Sequence, residues 1–401
     1  MKFRGGYVSP CDGRAPDRGT PAAAHFNPCF QQSSPNFNPT KENLTLKINL
    51  WRAGGMLAAL LFATAMAVAG DDGRGVLVLT STNDPSGNYV VVFKLDRWGV
   101  PSLNLVNMLA TGGNGGASGN AGIVQFRDRF GAVANYGTNT VTQLERDGEF
   151  ITVGQTISLA SGCVSPDSVA LTDDHLFVVG TNCAESHAWP SGSLDGTPVG
   201  LTDPSAAQIA VGRTWAAVTL KGTTAGSVVQ LPLTRRGALS GASTTITLPS
   251  MANNTPLGEA FWGNILGFTP AHSPDSFAIV DESQNVNPIV GPTPSFPMNA
   301  PCWVAKGPGS VWYTGNSPGQ AISIFFSDSQ GGVFYKSIPL PGSPTDVTVS
   351  PDGKWLAVIY TSGGDGYVAV FSIDQYGDLS PTPVATSVPI AATISGVAIS
   401  Q

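Results

Sequence analysis

A strand-and-turn unit that recurs along the chain constrains its fold more than any other feature. The clearest copy lies near the C-terminus: residues 345–349 alternate like a half-buried strand, Ser350-Pro-Asp-Gly353 forms a turn, and two apolar strands follow at 355–360 and 367–374. A weaker fourth strand lies near 382–388. Four antiparallel strands within about 45 residues are typical of one blade of a β-propeller.

The third strand of this unit occurs five times, each time before a turn that contains a glycine. Glycine permits the positive φ that such tight hairpins need. These strands are Tyr89–Asp96, Thr140–Asp147, Ser227–Thr234, Ala321–Asp328 and Tyr367–Asp374. Seven candidate inner strands predict seven blades, with six or eight as the alternatives. The inner strands centre on Ile123, Val169, Ile209, Ile265, Val304, Val347 and Val397.

The two ends of the repeat region complete each other. Gly396–Ser400 has the pattern of an inner strand with nothing after it, whereas Val76–Leu79 and Tyr89–Asp96 resemble second and third strands with nothing before them. Pairing these segments completes a blade and removes an exposed sheet edge. The sequence therefore predicts an all-β, seven-bladed propeller over residues 70–401, closed by pairing of its C-terminal strand with its N-terminal strands.

The segment before the repeats has the features of an export signal. A basic start precedes the apolar run Met56–Val68, and small residues at 67–69 fit a cleavage site. These thirteen residues would span only about 20 Å as a helix, less than a bilayer core. We expect residues 46–69 to be a signal peptide cleaved near Ala69, giving a secreted or periplasmic protein. A membrane would be a partner only if this segment were retained. Residues 1–45 are a disordered or spurious extension in this interpretation.

Charge narrows the range of partners. Only 12% of the residues are charged, the net charge is −7, and the excess of acidic groups lies after residue 69. An acidic surface repels phosphate backbones, which argues against nucleic-acid binding. We expect a monomer whose partner is a small molecule or a protein at one mouth of the propeller channel.

Several repeat segments resemble the lactonase-type seven-bladed propellers, the family of 6-phosphogluconolactonase and carboxymuconate-cyclising enzymes. The resemblance covers roughly residues 75–401. The residues that carry it are Thr82–Asn88 leading into Tyr89–Phe93, Pro344 with Ser350–Gly353, and Val370–Asp374 with Gly377–Leu379.

The resemblance implies a lactonase fold more strongly than lactonase chemistry. Active members of that family introduce an inner strand with Gly-Pro-Arg-His, which places Arg and His at the channel mouth. The matching positions here lack both residue types. They are Ser343-Pro-Thr-Asp346, Ala300-Pro-Cys-Trp303 and Val164-Ser-Pro-Asp-Ser168.

Four carboxylates lie on or near loops that enter inner strands, where propeller ligands usually bind. Together they could hold a divalent cation such as Ca²⁺, which takes several oxygen ligands, or position a water for hydrolysis. The alternative is that each one caps a turn and faces solvent. These candidates are Asp167, Asp203, Glu259 and Asp346, with Asp167, Glu259 and Asp346 as the possible metal set.

Two tryptophans border inner strands and could stack on a sugar or aromatic ligand at the channel mouth, although packing between blades is the alternative. They are Trp262 and Trp303. His272-Ser-Pro-Asp275 has the residue types of a catalytic triad, but neighbours on one turn cannot point at one another as a triad requires.

The cysteines suggest one cross-link. Cys163 and Cys183 flank a single antiparallel hairpin, so both fall at the same end of it and a disulfide is reachable. Free thiols are the alternative for this pair. For Cys302, burial as a small apolar residue is favoured over a nucleophilic role, because no basic neighbour is visible in sequence.

Three functions remain open at this point. The first is an exported scaffold that binds a ligand or a protein without chemistry, since the Arg and His columns are missing. The second is a lactone-opening hydrolase, with a metal held by the carboxylates. The third is a cell-envelope interaction protein.

Overall fold

The computed structural model describes residues 75–401, with breaks at 98, 118, 161, 223–225, 247, 249–254, 272–275, 284–285, 291–299 and 329–330. The predictions for residues 1–45 and 46–69, and that for His272, lie outside the described residues. None of the helices in the described part is long and apolar enough to cross a membrane.

Seven antiparallel sheets make up the described part of the chain, and each is a run of consecutive strands, except in the sheet where β29 (Ser395–Ser400) pairs with β1 (Val76–Ser81). In blades 1 to 3 the strands are β4 (Val124–Arg127), β5 (Phe130–Asn135), β6 (Thr140–Asp147), β7 (Phe150–Ser158); β8 (Pro166–Leu171), β9 (His175–Gly180), β10 (Cys183–Ala188), β11 (Val199–Gly200); and β12 (Ala206–Val211), β13 (Trp215–Leu220), β14 (Ser227–Pro232), β15 (Thr244–Ile246). A short 3₁₀ turn, Tyr136–Thr138, lies between β5 and β6.

Blades 4 to 6 follow the same order. Their strands are β16 (Pro256–Trp262), β17 (Ile265–Pro270), β18 (Ser276–Val280), β19 (Val286–Val290); β20 (Pro301–Lys306), β21 (Val311–Asn316), β22 (Ala321–Asp328), β23 (Gly331–Pro339); and β24 (Ser343–Val349), β25 (Trp355–Ser362), β26 (Asp365–Ser372), β27 (Ala385–Thr386), with β28 (Ile390–Ala391) also paired to β26.

The seventh sheet is the closure blade and confirms the predicted pairing of the chain ends. Its order is β29 (Ser395–Ser400), β1 (Val76–Ser81), β2 (Tyr89–Asp96) and β3 (Ser102–Ala110). β29 runs antiparallel to β1, and the Thr80 hydroxyl donates to the Gly396 carbonyl at 2.8 Å. The inner strands contact one another in the order β4, β8, β12, β16, β20, β24 and β29, and β29 then meets β4. The fold is therefore the seven-bladed ring that the repeats predict.

A buried arginine of blade 1 bonds to both ends of the ring. Arg146, on β6, donates from Nη1 to the Ser400 hydroxyl at 3.0 Å, from Nη2 to the Gly75 carbonyl and from Nε to the Gly148 carbonyl at 2.7 Å. Because Gly75 immediately precedes β1 and Ser400 ends β29, this one side chain reinforces the closure.

One predicted inner strand is wrong. Ile265 begins β17, the second strand of blade 4, and the inner strand of that blade is β16. The two strands are joined by a tight turn at Gly263-Asn264, where Gly263 has a φ of 65°. Both strands of this hairpin are apolar, so periodicity alone did not show which of them faces the channel.

Apolar side chains fill the space between neighbouring blades. Phe277 of blade 4 packs at 5.3 Å from Trp312 and at 5.2 Å from Phe325, both of blade 5, measured between ring centroids. Trp215 and Trp312 are fully buried on the second strands of blades 3 and 5. This packing fixes the inner strands and so fixes the side chains that face the channel.

The predicted cross-link is present. Cys163 and Cys183 form a disulfide with Cα atoms 5.5 Å apart, at one end of the β8–β9–β10 meander. Cys302 lies on β20 and is fully buried among apolar residues, in agreement with its predicted place in the core.

Candidate functional site

A cavity of about 240 Å³ occupies the channel. It is lined by six of the seven inner strands, and mostly by their second halves, so it lies toward the end of the channel where the inner strands finish. The sequence placed the site at the opposite end, where they begin. Its accessible surface is more polar than apolar, and the polar side chains among its lining residues are Gln125, Gln208, Glu259, Lys306, Asp346 and Thr348.

Glu259 is the most unusual of these residues. It lies in the middle of β16 with only 1% of its surface exposed, and neither carboxyl oxygen has a hydrogen-bond partner. The backbone N–H of Glu259 donates to Oε1 of Gln208 at 2.8 Å and so holds the Gln208 side-chain amide in place. Burial raises the pKa of Glu259 well above its ordinary value; the backbone N–H of Ala210 opposes this shift, although it does not reach either carboxyl oxygen in hydrogen-bond geometry. Its carboxyl group therefore retains its proton to a higher pH than a surface glutamate does.

Asp346 also lines the cavity but is fully engaged by the backbone. Oδ2 accepts the N–H groups of Gly122 at 3.0 Å and Val397 at 3.2 Å, and Oδ1 accepts that of Val347 at 2.8 Å. Burial raises its pKa to about 7 despite these three bonds. Since the donors come from the entry to β4 and from β24 and β29, Asp346 joins three inner strands, and its main role is structural.

A second polar cluster lies where the inner strands begin. The amide of Asn120, just before β4, donates to Oδ1 of Asp167 on β8, and Lys221, just after β13, donates to Oδ1 of Asn120 at 2.8 Å. Burial raises the pKa of Asp167 to about 7, although the positive charge of Lys221 and the bond from Asn120 act against this. Burial lowers the pKa of Lys221, while Asp167 and the partly buried Asp203 oppose that shift.

The carboxylates proposed as metal ligands do not meet. Within the described ranges, the only three His, Cys, Asp or Glu groups whose ligand atoms lie within 4.8 Å of one another are Cys163, Cys183 and Glu185. Asp167, Glu259 and Asp346 do not form such a group, so one Ca²⁺ at 2.3–2.6 Å from all three would need a different arrangement of the inner strands.

The two candidate tryptophans differ in their surroundings. Trp303 is buried, and its Nε1 donates to the Pro344 carbonyl at 2.8 Å and to the Ser317 hydroxyl at 3.2 Å, so it packs blade 5 against blade 6. Trp262 is 39% exposed and ends β16, at the far end of the channel from the expected mouth. The ammonium of Lys306 lies 5.1 Å from its ring centroid.

Lys306 and Gln208 are site residues that the sequence did not reveal. Lys306 ends β20, lines the cavity and donates to the carbonyls of Gly307 and Gly309, both at 2.6 Å; burial lowers its pKa to about 8. Gln208 lies within an apolar inner strand. Lys221 and Asn120 were missed as well, because only the packing of blades brings them to Asp167. Gln208 could have been found from sequence, because it is a polar residue within an otherwise apolar strand. Asn120 and Lys221 lie on loops, where a polar residue is not unusual.

Solved structures share this architecture. A protein from Lactobacillus plantarum superimposes with a TM-score of 0.60 at 13% identity, covering 81% of this chain and 99% of that one. A candidate 6-phosphogluconolactonase from Bacteroides uniformis gives 0.57 at 12% identity, covering 79% and 99%. A streptogramin B lyase gives 0.53 at 14% identity, covering 70% and 87%.

These likenesses show the fold. They agree with the lactonase-type architecture inferred from the repeat segments. No protein-family model matches the sequence, and comparison with curated proteins gives no match either.

Proposed function

We propose that this chain is an exported propeller that binds a small, neutral molecule with hydroxyl or amide groups in its channel cavity. One observation carries the proposal: Glu259 lines the cavity and is buried, and both of its carboxyl oxygens lack a partner. A buried polar group without a hydrogen bond costs about 1–3 kcal/mol, so a ligand that supplies the missing bonds recovers that energy.

The protonation of Glu259 favours a neutral ligand. A carboxyl group that keeps its proton offers one donor and one acceptor, the pattern that pairs with a hydroxyl or an amide. Gln208 adds a second amide at the same wall. Oε1 of Gln208 accepts a hydrogen bond from the Glu259 N–H. No residue of the described part accepts a hydrogen bond from Nε2 of Gln208, so this group can donate to a ligand. The cavity is smaller than the roughly 300–1,000 Å³ of sites for drug-sized ligands, which favours a small molecule.

Two variants of Glu259 test this function. Neutral polyols from erythritol to D-sorbitol, and D-glucono-1,5-lactone, would be titrated into the mature chain by calorimetry. Glu259→Gln copies the donor and acceptor of a neutral carboxyl, so we expect its Kd for the best probe to stay within about 3-fold. Glu259→Leu keeps a similar volume without hydrogen bonds, and the loss of one bond predicts about 10-fold weaker binding.

The pair of variants separates the possible outcomes. Equal binding by the parent chain and Glu259→Leu would show that Glu259 does not contact the ligand. An equally large loss in both variants would show that the ionised carboxylate is required as an acceptor, which would contradict the role of a protonated Glu259. Asp147→Asn, on the exposed end of β6, is the control for a change of charge.

Lactone hydrolysis is the second candidate, and Asp167 supports it. A carboxyl with a pKa of about 7, beside Lys221 at the entry to the channel, is suited to general acid–base chemistry at neutral pH. The test is hydrolysis of D-glucono-1,5-lactone above its spontaneous rate, with an expected 100-fold loss in Asp167→Asn. A parent chain with no rate above background would exclude this activity on that lactone. Glu259→Gln should leave the rate unchanged, since it lies in the other half of the channel.

Export is part of the proposal and has its own test. N-terminal sequencing of protein recovered outside the cytoplasm should begin at Gly70. Material that retains residues 56–68 in the membrane fraction would instead support the cell-envelope role.

A further inference from the structure

We propose that reduction of the Cys163–Cys183 disulfide creates a site for a thiophilic divalent cation such as Zn²⁺, with Cys163, Cys183 and Glu185 as its ligands. The site lies at the β8–β9–β10 meander of blade 2, and it is independent of the channel and of the function proposed above.

The ligand atoms are already gathered. The two sulfurs and a carboxylate oxygen of Glu185 lie within 4.8 Å of one another, and all three residues are buried. In a tetrahedral zinc site with Zn–S of about 2.3 Å and Zn–O of about 2.1 Å, ligand atoms lie roughly 3.5–3.8 Å apart. Side-chain rotations after the S–S bond opens can reach these separations, because the Cα atoms of Cys163 and Cys183 are 5.5 Å apart. Water would complete the fourth position.

The surroundings of Glu185 orient it as a ligand. It is 0% exposed, and the Ala160 N–H donates to its two oxygens at 3.1 and 2.9 Å. Nε2 of His187 lies 2.7 Å from Oε1, while Nδ1 of the same ring lies 3.0 Å from the Gly192 carbonyl. Outer residues that hold a ligand in this way commonly raise metal affinity 10–100-fold.

The chemistry has two steps. A dithiol reductant such as dithiothreitol supplies two electrons and two protons, which break the S–S bond and give two thiols while the dithiol becomes a disulfide. Zn²⁺ then binds as both thiols release their protons. The same corner of blade 2 is thus cross-linked in both redox states, by a covalent bond when oxidised and by a metal when reduced.

Cobalt is the probe for this site, since thiolate ligands give Co²⁺ characteristic charge-transfer and ligand-field absorption. The mature chain would be reduced, desalted under nitrogen and titrated with Co²⁺, and then with Zn²⁺. We expect one Co²⁺ per chain, bound only after reduction and displaced by Zn²⁺. Cys163→Ser/Cys183→Ser, which keeps Cys302, should show no thiolate–cobalt absorption. Glu185→Gln should bind at least 10-fold more weakly, and His187→Gln about 10-fold more weakly.

Two results would overturn the proposal. One is a reduced parent chain whose cobalt spectrum equals that of the double serine variant. The other concerns folding: if circular dichroism shows that the reduced chain loses its strands without metal, stoichiometric Zn²⁺ must restore them, and failure to do so removes the site. Glu149→Gln, a half-exposed surface change, should leave cobalt binding unaltered.

Discussion

Replacing Glu259 by leucine should make the protein more stable. The carboxyl group is buried with no hydrogen bond, and mutational data put the cost of such a group at about 1–3 kcal/mol. Leucine fills a similar volume without that cost. We therefore expect Glu259→Leu to gain about 1–3 kcal/mol over Glu259→Gln, which keeps a buried polar group of the same shape.

The effect of pH adds a second difference in stability. The pKa of Glu259 is raised in the folded state above its ordinary value of 4.5, so the folded chain holds a proton that the unfolded chain has lost. Stability then falls as the pH rises from about 4.5 toward the folded pKa, by up to about 1.4 kcal/mol per pH unit. Relative to Glu259→Gln, the parent chain should therefore lose stability as the pH rises from 4.5 to 7.5.

Urea unfolding of the three proteins at pH 4.5, 6.0 and 7.5 measures both differences. The Leu–Gln difference should be the same at each pH, and the parent–Gln difference should grow with pH. A Glu259→Leu protein no more stable than Glu259→Gln, together with a parent–Gln difference that does not change with pH, would refute the reasoning. It would show that water or another group satisfies the carboxylate in the folded protein.

Three other changes have defined outcomes. Arg146→Met leaves the Ser400 hydroxyl and the Gly75 carbonyl without this donor, so it should lower the free energy of unfolding in urea by about 1–3 kcal/mol. It should also speed hydrogen exchange in β29 more than in β13. An equal increase in both strands would contradict a role of Arg146 in closure. Cys163→Ala/Cys183→Ala should cost about 3 kcal/mol, the entropy of a 20-residue loop, and this difference from the parent should disappear when both proteins are measured in reductant. Asp346→Asn should be less stable than the parent by about 1–3 kcal/mol at pH 4, and the gap should narrow as the pH rises to about 7, the pKa of Asp346 in the folded state; a constant gap would show that this carboxyl is not titrating there.

Most of the fold could be predicted because each blade repeats the same local rules. Three of the five predicted third strands, Tyr89–Asp96, Thr140–Asp147 and Ala321–Asp328, have the bounds that the structure gives them. The error in blade 4 has a physical origin. The hairpin of β16 and β17 has apolar residues on both strands, and only contacts with neighbouring blades decide which one is innermost.

The candidate site could be predicted only in part. Asp167 and Asp346 were identified because they introduce inner strands, and both are buried near the axis. Their partners come from other blades: Lys221 lies 54 positions from Asp167, and the Gly122 amide lies 224 positions from Asp346. Local sequence patterns do not predict contacts between residues that are this far apart in the chain. The sequence also could not show that the Glu259 carboxyl lacks hydrogen-bond partners, because this depends on which donors the surrounding strands place near it.

The position of β29 sets the order in which the molecule can be assembled. β29 follows every other described strand in the chain, yet it lies at the centre of the ring, between β24 and β4. Blades 1 to 6 can each fold as the chain emerges, but the ring stays open until Ser400 has been made. Deleting residues 396–401 would leave blades 1 to 6 complete but would remove most of one of the seven inner strands around the channel. A small C-terminal deletion would therefore alter the centre of the ring and not its surface.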